Sequence, residues 1–245
     1  MKKLFFLLSC LAFALSCSNA SDTYPNLEKP SLDNPETMAY LHNAALNRYF
    51  SSQTKSGEAA ITDVDNLIPY VCNIVLEEAA HIGINASISN EDLNYIESMS
   101  ADQIAHFSLT NEELVQYYIN LFPFSNDIKE RILELSLNDI EKGTTTYLDY
   151  MNSLNDTGTK STNYNAKSIA QFCAIGNASN SFWKSHETKG LRDMKARDWL
   201  ATGADIAGSF LAGGIVGIII STVFSLNMGY ADVMSLEDSM NTNCD

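Results

Sequence analysis

Apolar residues recur along this chain at helical spacing, and no run alternates in the manner of a strand. Met38, Leu41, Ala45 and Tyr49 share one face after Asn34-Pro35, a capping residue followed by proline at the first helical position. Leu67, Ile68, Val71, Ile74, Val75 and Ile82 form a second face with Val64, capped by Thr62 and stopped by Gly83, with Pro69 expected to interrupt this helix or shift its start. A shorter segment begins at Asn90 with Leu93 and Ile96. Thr110-Asn111-Glu112-Glu113 is a capping box ahead of Leu114, Tyr117, Tyr118 and Leu121, and Pro123 ends that helix. Ser125 caps a further helix through Ile128, Ile132, Leu135 and Ile140. Gly143 either ends it or weakens it, since Tyr147, Leu148 and Met151 keep the period. Residues 35–154 thus predict a bundle of five or so helices. The polar run 155–164 is the best internal boundary, and helical spacing returns at Ala166, Ile169, Ala170 and Cys173, within a C-terminal part spanning 165–245. The expected fold class is all-α: an irregular helical bundle with a glycine-rich hydrophobic C-terminal helix or helical hairpin.

That C-terminal element is the segment 203–228. Residues 206–231 carry no charge, and five of the twelve glycines fall between 203 and 217. Small residues recur every fourth position: Ala204, Gly208 and Ala212, then Gly213, Gly217, Ser221 and Ser225. Such a stripe lets a second helix approach closely. Glycine costs roughly 1 kcal/mol per site inside a helix, so several together call for close packing in return. Gly213-Gly214 is where the stripe changes register, a natural place for the chain to bend. Three readings follow: a membrane-spanning or membrane-inserting helix, a buried hairpin broken near Gly213-Gly214, and a self-associating glycine zipper. Charge argues against a simple stop-transfer anchor. Lys184, Lys189, Arg192, Lys195 and Arg197 precede the segment, whereas Asp232, Glu237, Asp238 and Asp245 follow it, opposite to the expected bias, and Asp205 would sit at the membrane edge.

The N-terminus carries an address. Lys2 and Lys3 precede an apolar run from Leu4 to Leu15, about the length of a signal-peptide core and too short to span a bilayer, which favours a signal peptide at 1–16 over a buried helix. Ala14-Leu15-Ser16-Cys17 resembles the lipobox of bacterial lipoproteins, which points to lipidation of Cys17. Leu7-Leu8-Ser9-Cys10 fits the letters but leaves too few apolar residues ahead of it, and the remaining alternative is ordinary cleavage near Ala20. Residues 17–34 are polar and contain Pro25 and Pro30, as suits an extended tether between a lipid and a folded domain.

Charge narrows the partners. The chain holds 15 basic and 30 acidic residues, a net of −15, and no Lys or Arg lies between Lys55 and Lys129. Nucleic acid is excluded as a partner for want of a basic surface. The acidity serves solubility, or else a cationic partner or loosely held divalent ions. Beyond Cys17, only Cys72, Cys173 and Cys244 remain, enough for one internal disulfide, and the spacing is not that of a metal knuckle.

Candidate chemistry is sparse. Glu78-Ala79-Ala80-His81 places a carboxylate and an imidazole on one helical face, as di-iron bundles do twice over, but the nearest echo, Gln103-Ile104-Ala105-His106, offers an amide. Glu78, His81 and His106 are therefore metal candidates set against ordinary surface or core roles. His42 and His186 have no partner at ligand spacing. Asp63-Val64-Asp65-Asn66 is too short for a calcium loop. No nucleophile elbow, zinc-protease helix or phosphate loop occurs, so no catalytic residue and no cofactor are expected.

The lipoprotein-type signal, the helix containing Leu41-His42-Asn43-Ala44-Ala45-Leu46 after Asn-Pro, and the stretch from Trp199 through Gly217 resemble a loose group of envelope lipoproteins of Bacteroidetes bacteria. The likeness covers the two ends of the chain. It implies an outer-membrane or secreted location and brings no active site. Glycine-zipper segments are also similar in composition to parts of pore-forming bacteriocins. The expected function is a non-enzymatic exported envelope lipoprotein of structural or binding role, with contact to a membrane through its N-terminal lipid. The alternatives are a membrane-active or self-associating protein that inserts 203–228, and a helical metal-binding protein.

Overall fold

The computed structural model describes residues 29–56, 64–157, 163–185 and 194–241. The expected signal peptide, Cys17, Thr62, Cys244 and most of the expected tether lie outside the described residues. Nine helices occur among those described, and no strand: α1 (Pro35–Ser56), α2 (Val64–His81), α3 (Asn90–Ala105), α4 (Asn111–Leu121), α5 (Asn126–Lys142), α6 (Thr146–Asp156), α7 (Asn163–Ser185), α8 (Met194–Leu211) and α9 (Gly214–Asn241). The all-α bundle expected from the periodicity is the fold observed.

Local signals account for most helix ends. Asn34 Oδ1 accepts from Glu36 N at 2.8 Å to start α1. Thr110 and Glu113 close the capping box of α4, and Ser89 and Asp92 form a second box at α3 that the pattern Ser-Asn-Glu-Asp also encodes. Both boxes hold their exposed carboxyls below the ordinary range, through the backbone N–H and then the hydroxyl that each accepts from. Ser125 stands at the N-cap of α5 in extended conformation without a side-chain capping bond. Gly143 adopts φ 66° and ends α5, the first of its two expected roles, which gives six described helices before the polar run. Asp139 fixes this corner: it is buried and accepts from Thr146 Oγ1 at 2.8 Å, from Tyr147 N at 3.0 Å and from Thr144 Oγ1. Pro69 does not interrupt α2. It lies on the exposed side near the start, where its missing N–H deprives a single first-turn carbonyl.

The C-terminal helices are the centre of the molecule. α8 packs against α4, α5, α7 and α9, and α9 packs against α1, α2, α3 and α8. One continuous core runs from Met38 to Met228. The polar run at 155–164 therefore separates stretches of sequence, not separately packed units. Of the readings of segment 203–228, the hairpin broken near Gly213-Gly214 is the one observed: the chain turns at Ala212-Gly213 and re-enters helix at Gly214 with φ +60°. Among the described residues, no helix is long and apolar enough to cross a membrane.

Small residues make the hairpin tight. A Cβ on Gly208 would stand 2.6 Å from Ser221 Cα and 2.7 Å from Ser221 N, so backbone meets backbone there. A Cβ on Gly217 would run into the Ala212 carbonyl oxygen. Ser221 Oγ donates to Asp205 O at 2.7 Å across the same seam. Ala204, Ser221 and Ser225 are fully buried. Gly213 departs from the expected stripe: it is exposed, with nothing within 4 Å of an added Cβ, because it sits in the turn and not between helices.

Gly208→Ala should destabilise the protein by roughly 1–3 kcal/mol, since backbone cannot yield as a side chain does, despite the gain of about 1 kcal/mol in helix propensity. Gly213→Ala should stay within about 0.5 kcal/mol of wild type. Urea midpoints check both, and a more stable Gly208→Ala would contradict the close approach.

Candidate functional site

The most unusual chemistry lies beneath the hairpin. His42 on α1 faces its partner from the inner side of that helix, one turn after Met38, and Asp205 on α8 is the one charged side chain in an otherwise uncharged buried stretch from Trp199 to Ser209. Both are 0% exposed, and His42 Nε2 lies 3.0 Å from Asp205 Oδ1. The approach is off the line of the ring N–H, so charge attraction carries more of the contact than a linear hydrogen bond does. Asp205 Oδ2 accepts from Ser179 Oγ on α7 and, at 3.4 Å, from Trp183 Nε1. Thr202 Oγ1 stands 3.4 Å from Ser179 Oγ.

The neighbourhood fixes the charge on the imidazole. Asn43 Nδ2 donates to Ala178 O at 2.9 Å, which turns its Oδ1 toward His42 Nδ1 at 3.0 Å. Both ring nitrogens thus face acceptors, and only the doubly protonated ring can serve both. Burial opposes that charge, but the Asp205 carboxylate and the bonds to Asp205 and Asn43 outweigh it, and the His42 pKa is raised above 6.5. Tyr147, buried nearby, has its phenol pushed well above 10 by burial first and then by Asp139 and Asp205.

Serine, histidine and aspartate together invite comparison with a catalytic triad, and the geometry differs. In a triad the imidazole takes the proton of the serine. Here Ser179 donates to the carboxylate, and the imidazole is occupied by Asp205 and Asn43. The arrangement holds a water-excluded charge pair that ties α1, α7 and α8 together. A second polar layer ties α3, α4 and α9: Gln103 Nε2 donates to Tyr118 OH at 2.9 Å and Phe224 O at 3.0 Å, and Asn227 Nδ2 donates to Ser100 Oγ at 3.0 Å and Gln103 Oε1 at 3.1 Å.

The metal candidates are not brought together. Glu78 Oε1 accepts from Arg48 Nη1 at 3.1 Å, and His81 Nδ1 lies 3.7 Å from Glu78 Oε2 at the end of α2. His106 follows α3, stacked on Tyr117 with ring centres 4.1 Å apart, and its Nδ1 lies 2.7 Å from Asp102 O. Among the described residues, no group of three or more His, Cys, Asp or Glu is placed to hold a metal ion. Cys72 and Cys173 are buried free thiols, and burial pushes them up to about 11 and about 12. Comparison with family models, curated proteins and solved structures gives no match.

Neither His42 nor Asp205 stood out by spacing, since 163 positions separate them. The available signal was a titratable residue on an apolar face: His42 keeps helical register with Met38, Ala45 and Tyr49, and Asp205 borders the small-residue stripe.

Asp205→Asn should cost roughly 3–5 kcal/mol near pH 6, because it strands a buried imidazolium. In wild type the folded chain binds the His42 proton more tightly than the unfolded chain does. This contribution is complete below pH 6.5 and falls as pH rises through the raised pKa. Urea midpoints between pH 6 and 9 should show that fall in wild type and lose it in Asp205→Asn. Parallel profiles would contradict the pairing.

Proposed function

We propose that the chain is an exported, lipid-anchored cell-envelope protein with a structural or binding role and no enzymatic one. The observation that carries the non-insertional part of this reading is the contact of Gly208 with the Ser221 backbone, because the small-residue surface is consumed inside the fold and is not left for a second copy. The Asp205 cluster supports it too, since sealed polar groups that bind one another favour a role in holding helices together. Export and anchoring are supported by Lys2-Lys3, the apolar run, Ser16-Cys17 and the proline-spaced tether, and by the resemblance to Bacteroidetes envelope lipoproteins. The acidic exterior suits solubility in that setting.

A second reading is favoured by one observation: the uncharged run 206–231 forms much of a central hairpin that other helices surround. A membrane-active protein could carry its inserting element in that way. Insertion would require the hairpin to leave α1 and α7, at the cost of separating His42 and Ser179 from Asp205.

Cell fractionation of wild type and Cys17→Ser tests the anchor. The variant should move from the membrane fraction to the soluble fraction, and equal membrane retention would refute lipidation at Cys17. Purified protein without its lipid should release no dye from liposomes at neutral pH. Release by the folded, lipid-free protein would favour the membrane-active reading.

A further inference from the structure

Residues 199–209 and 217–228 of the hairpin are buried, and half-buried or exposed residues lie at its tip. Phe210, Leu211, Ala212 and Val216 are half-buried, and Gly213 is exposed. The start of the described chain lies against this tip: Leu32 Cβ and Cδ1 stand 3.8 Å from where a Cβ on Gly214 would be. That entry is pinned, with Ser31 N donating to Thr37 Oγ1 at 3.4 Å and Lys167 Nζ 3.0 Å from Asp33 Oδ1. Tyr95 completes the surface. It is 39% exposed, the one exposed large hydrophobic side chain among the described residues, and its hydroxyl donates to Leu211 O at 2.9 Å, capping the end of α8.

We propose that this tip, formed by Leu32, Tyr95, Leu211, Gly213 and Val216, is the face the body lays against the bilayer that holds its own lipid. The inference rests on the anchor at Cys17. Lys29 lies twelve positions after Cys17, a contour of about 40 Å at most. A tether of that reach brings the side on which the chain enters nearest the bilayer, and that side is the tip. The surface suits a lipid interface: Leu32, Leu211 and Val216 show apolar side chain at it beside the Lys167–Asp33 pair, the Leu211 carbonyl is capped, and Tyr95 has the amphipathic character of interfacial anchors. The strongly acidic chain gains nothing from anionic headgroups, so the contact is apolar and forms on zwitterionic lipid.

The test uses full-length lipidated protein in phosphatidylcholine vesicles carrying a lipid-attached quencher. Gly213→Cys, in a Cys244→Ser background, takes a polarity-sensitive dye, while the buried thiols of Cys72 and Cys173 stay unlabelled in the folded state. Glu141→Cys is the control. It is exposed and lies toward the other end of α8, where Tyr147 meets Trp199 with ring centres 5.5 Å apart, about 18 Å along the helix from Leu211. The tip label should shift to the blue and be quenched at least two-fold on vesicles, with the Glu141 label unchanged. Leu211→Asp, folded by circular dichroism, should lose the shift yet remain vesicle-bound. A lipidated, vesicle-bound protein whose tip label stays as wet as the control overturns this proposal alone. An N-terminal mass without lipid on Cys17 overturns the anchor and the proposal together.

Discussion

Where Gly208 meets Ser221, two helices touch with no side chain between them, and the arrangement of the bundle depends on that seam. Closeness there is what lets α8 and α9 act as one thick central element with apolar residues facing outward on all sides. Ile206 and Ala207 of α8, and Ile218, Ile219, Ile220, Val223 and Phe224 of α9, are buried against the surrounding helices. Each large side chain so buried contributes about 1.5–3 kcal/mol. A wider seam would leave voids in a core whose density tolerates few.

Hydrophobic burial is indifferent to register, and the polar groups supply what it lacks. Asp205 can be buried only where an imidazolium and a hydroxyl meet it, and α1 and α7 offer them at His42 and Ser179. Gln103 and Asn227 do the same between α3 and α9, Asn227 Nδ2 donating to Gln103 Oε1 and Gln103 Nε2 to Phe224 O. A one-turn slide of the hairpin would orphan both sets, and unsatisfied buried polar groups cost about 1–3 kcal/mol each. These contacts add little as net attraction, but they specify a single alignment of an otherwise smooth, greasy hairpin.

The helices were legible in the sequence because their signals are local. The Thr110 box, Asn34-Pro35 and Gly83 each act within a turn, and apolar periodicity marks the inner faces of α1 and α2. The hairpin was legible as one of three readings, since a small-residue stripe states that something must come close without naming it. Two things were hidden. Gly213 has the same four-residue spacing as Gly217, and only the turn conformation separates an exposed corner from a packing position. The pairing of His42 with Asp205 depends on which helices the fold brings together, and nothing near either residue encodes the other. Glu78, His81 and His106, metal candidates by spacing set against ordinary surface or core roles, are not gathered into a metal-holding group among the described residues.

The α8–α9 hairpin is the most deeply held part of the molecule, locked by the Gly208 seam and the Asp205 cluster. Native-state hydrogen exchange of the soluble body measures this residue by residue. The amides of 199–209 and 217–228 should exchange only through global unfolding, with opening free energies equal to the global value from urea denaturation. Exchange of those amides through a partial opening well below that value, while α1 and α2 remain protected, would contradict it.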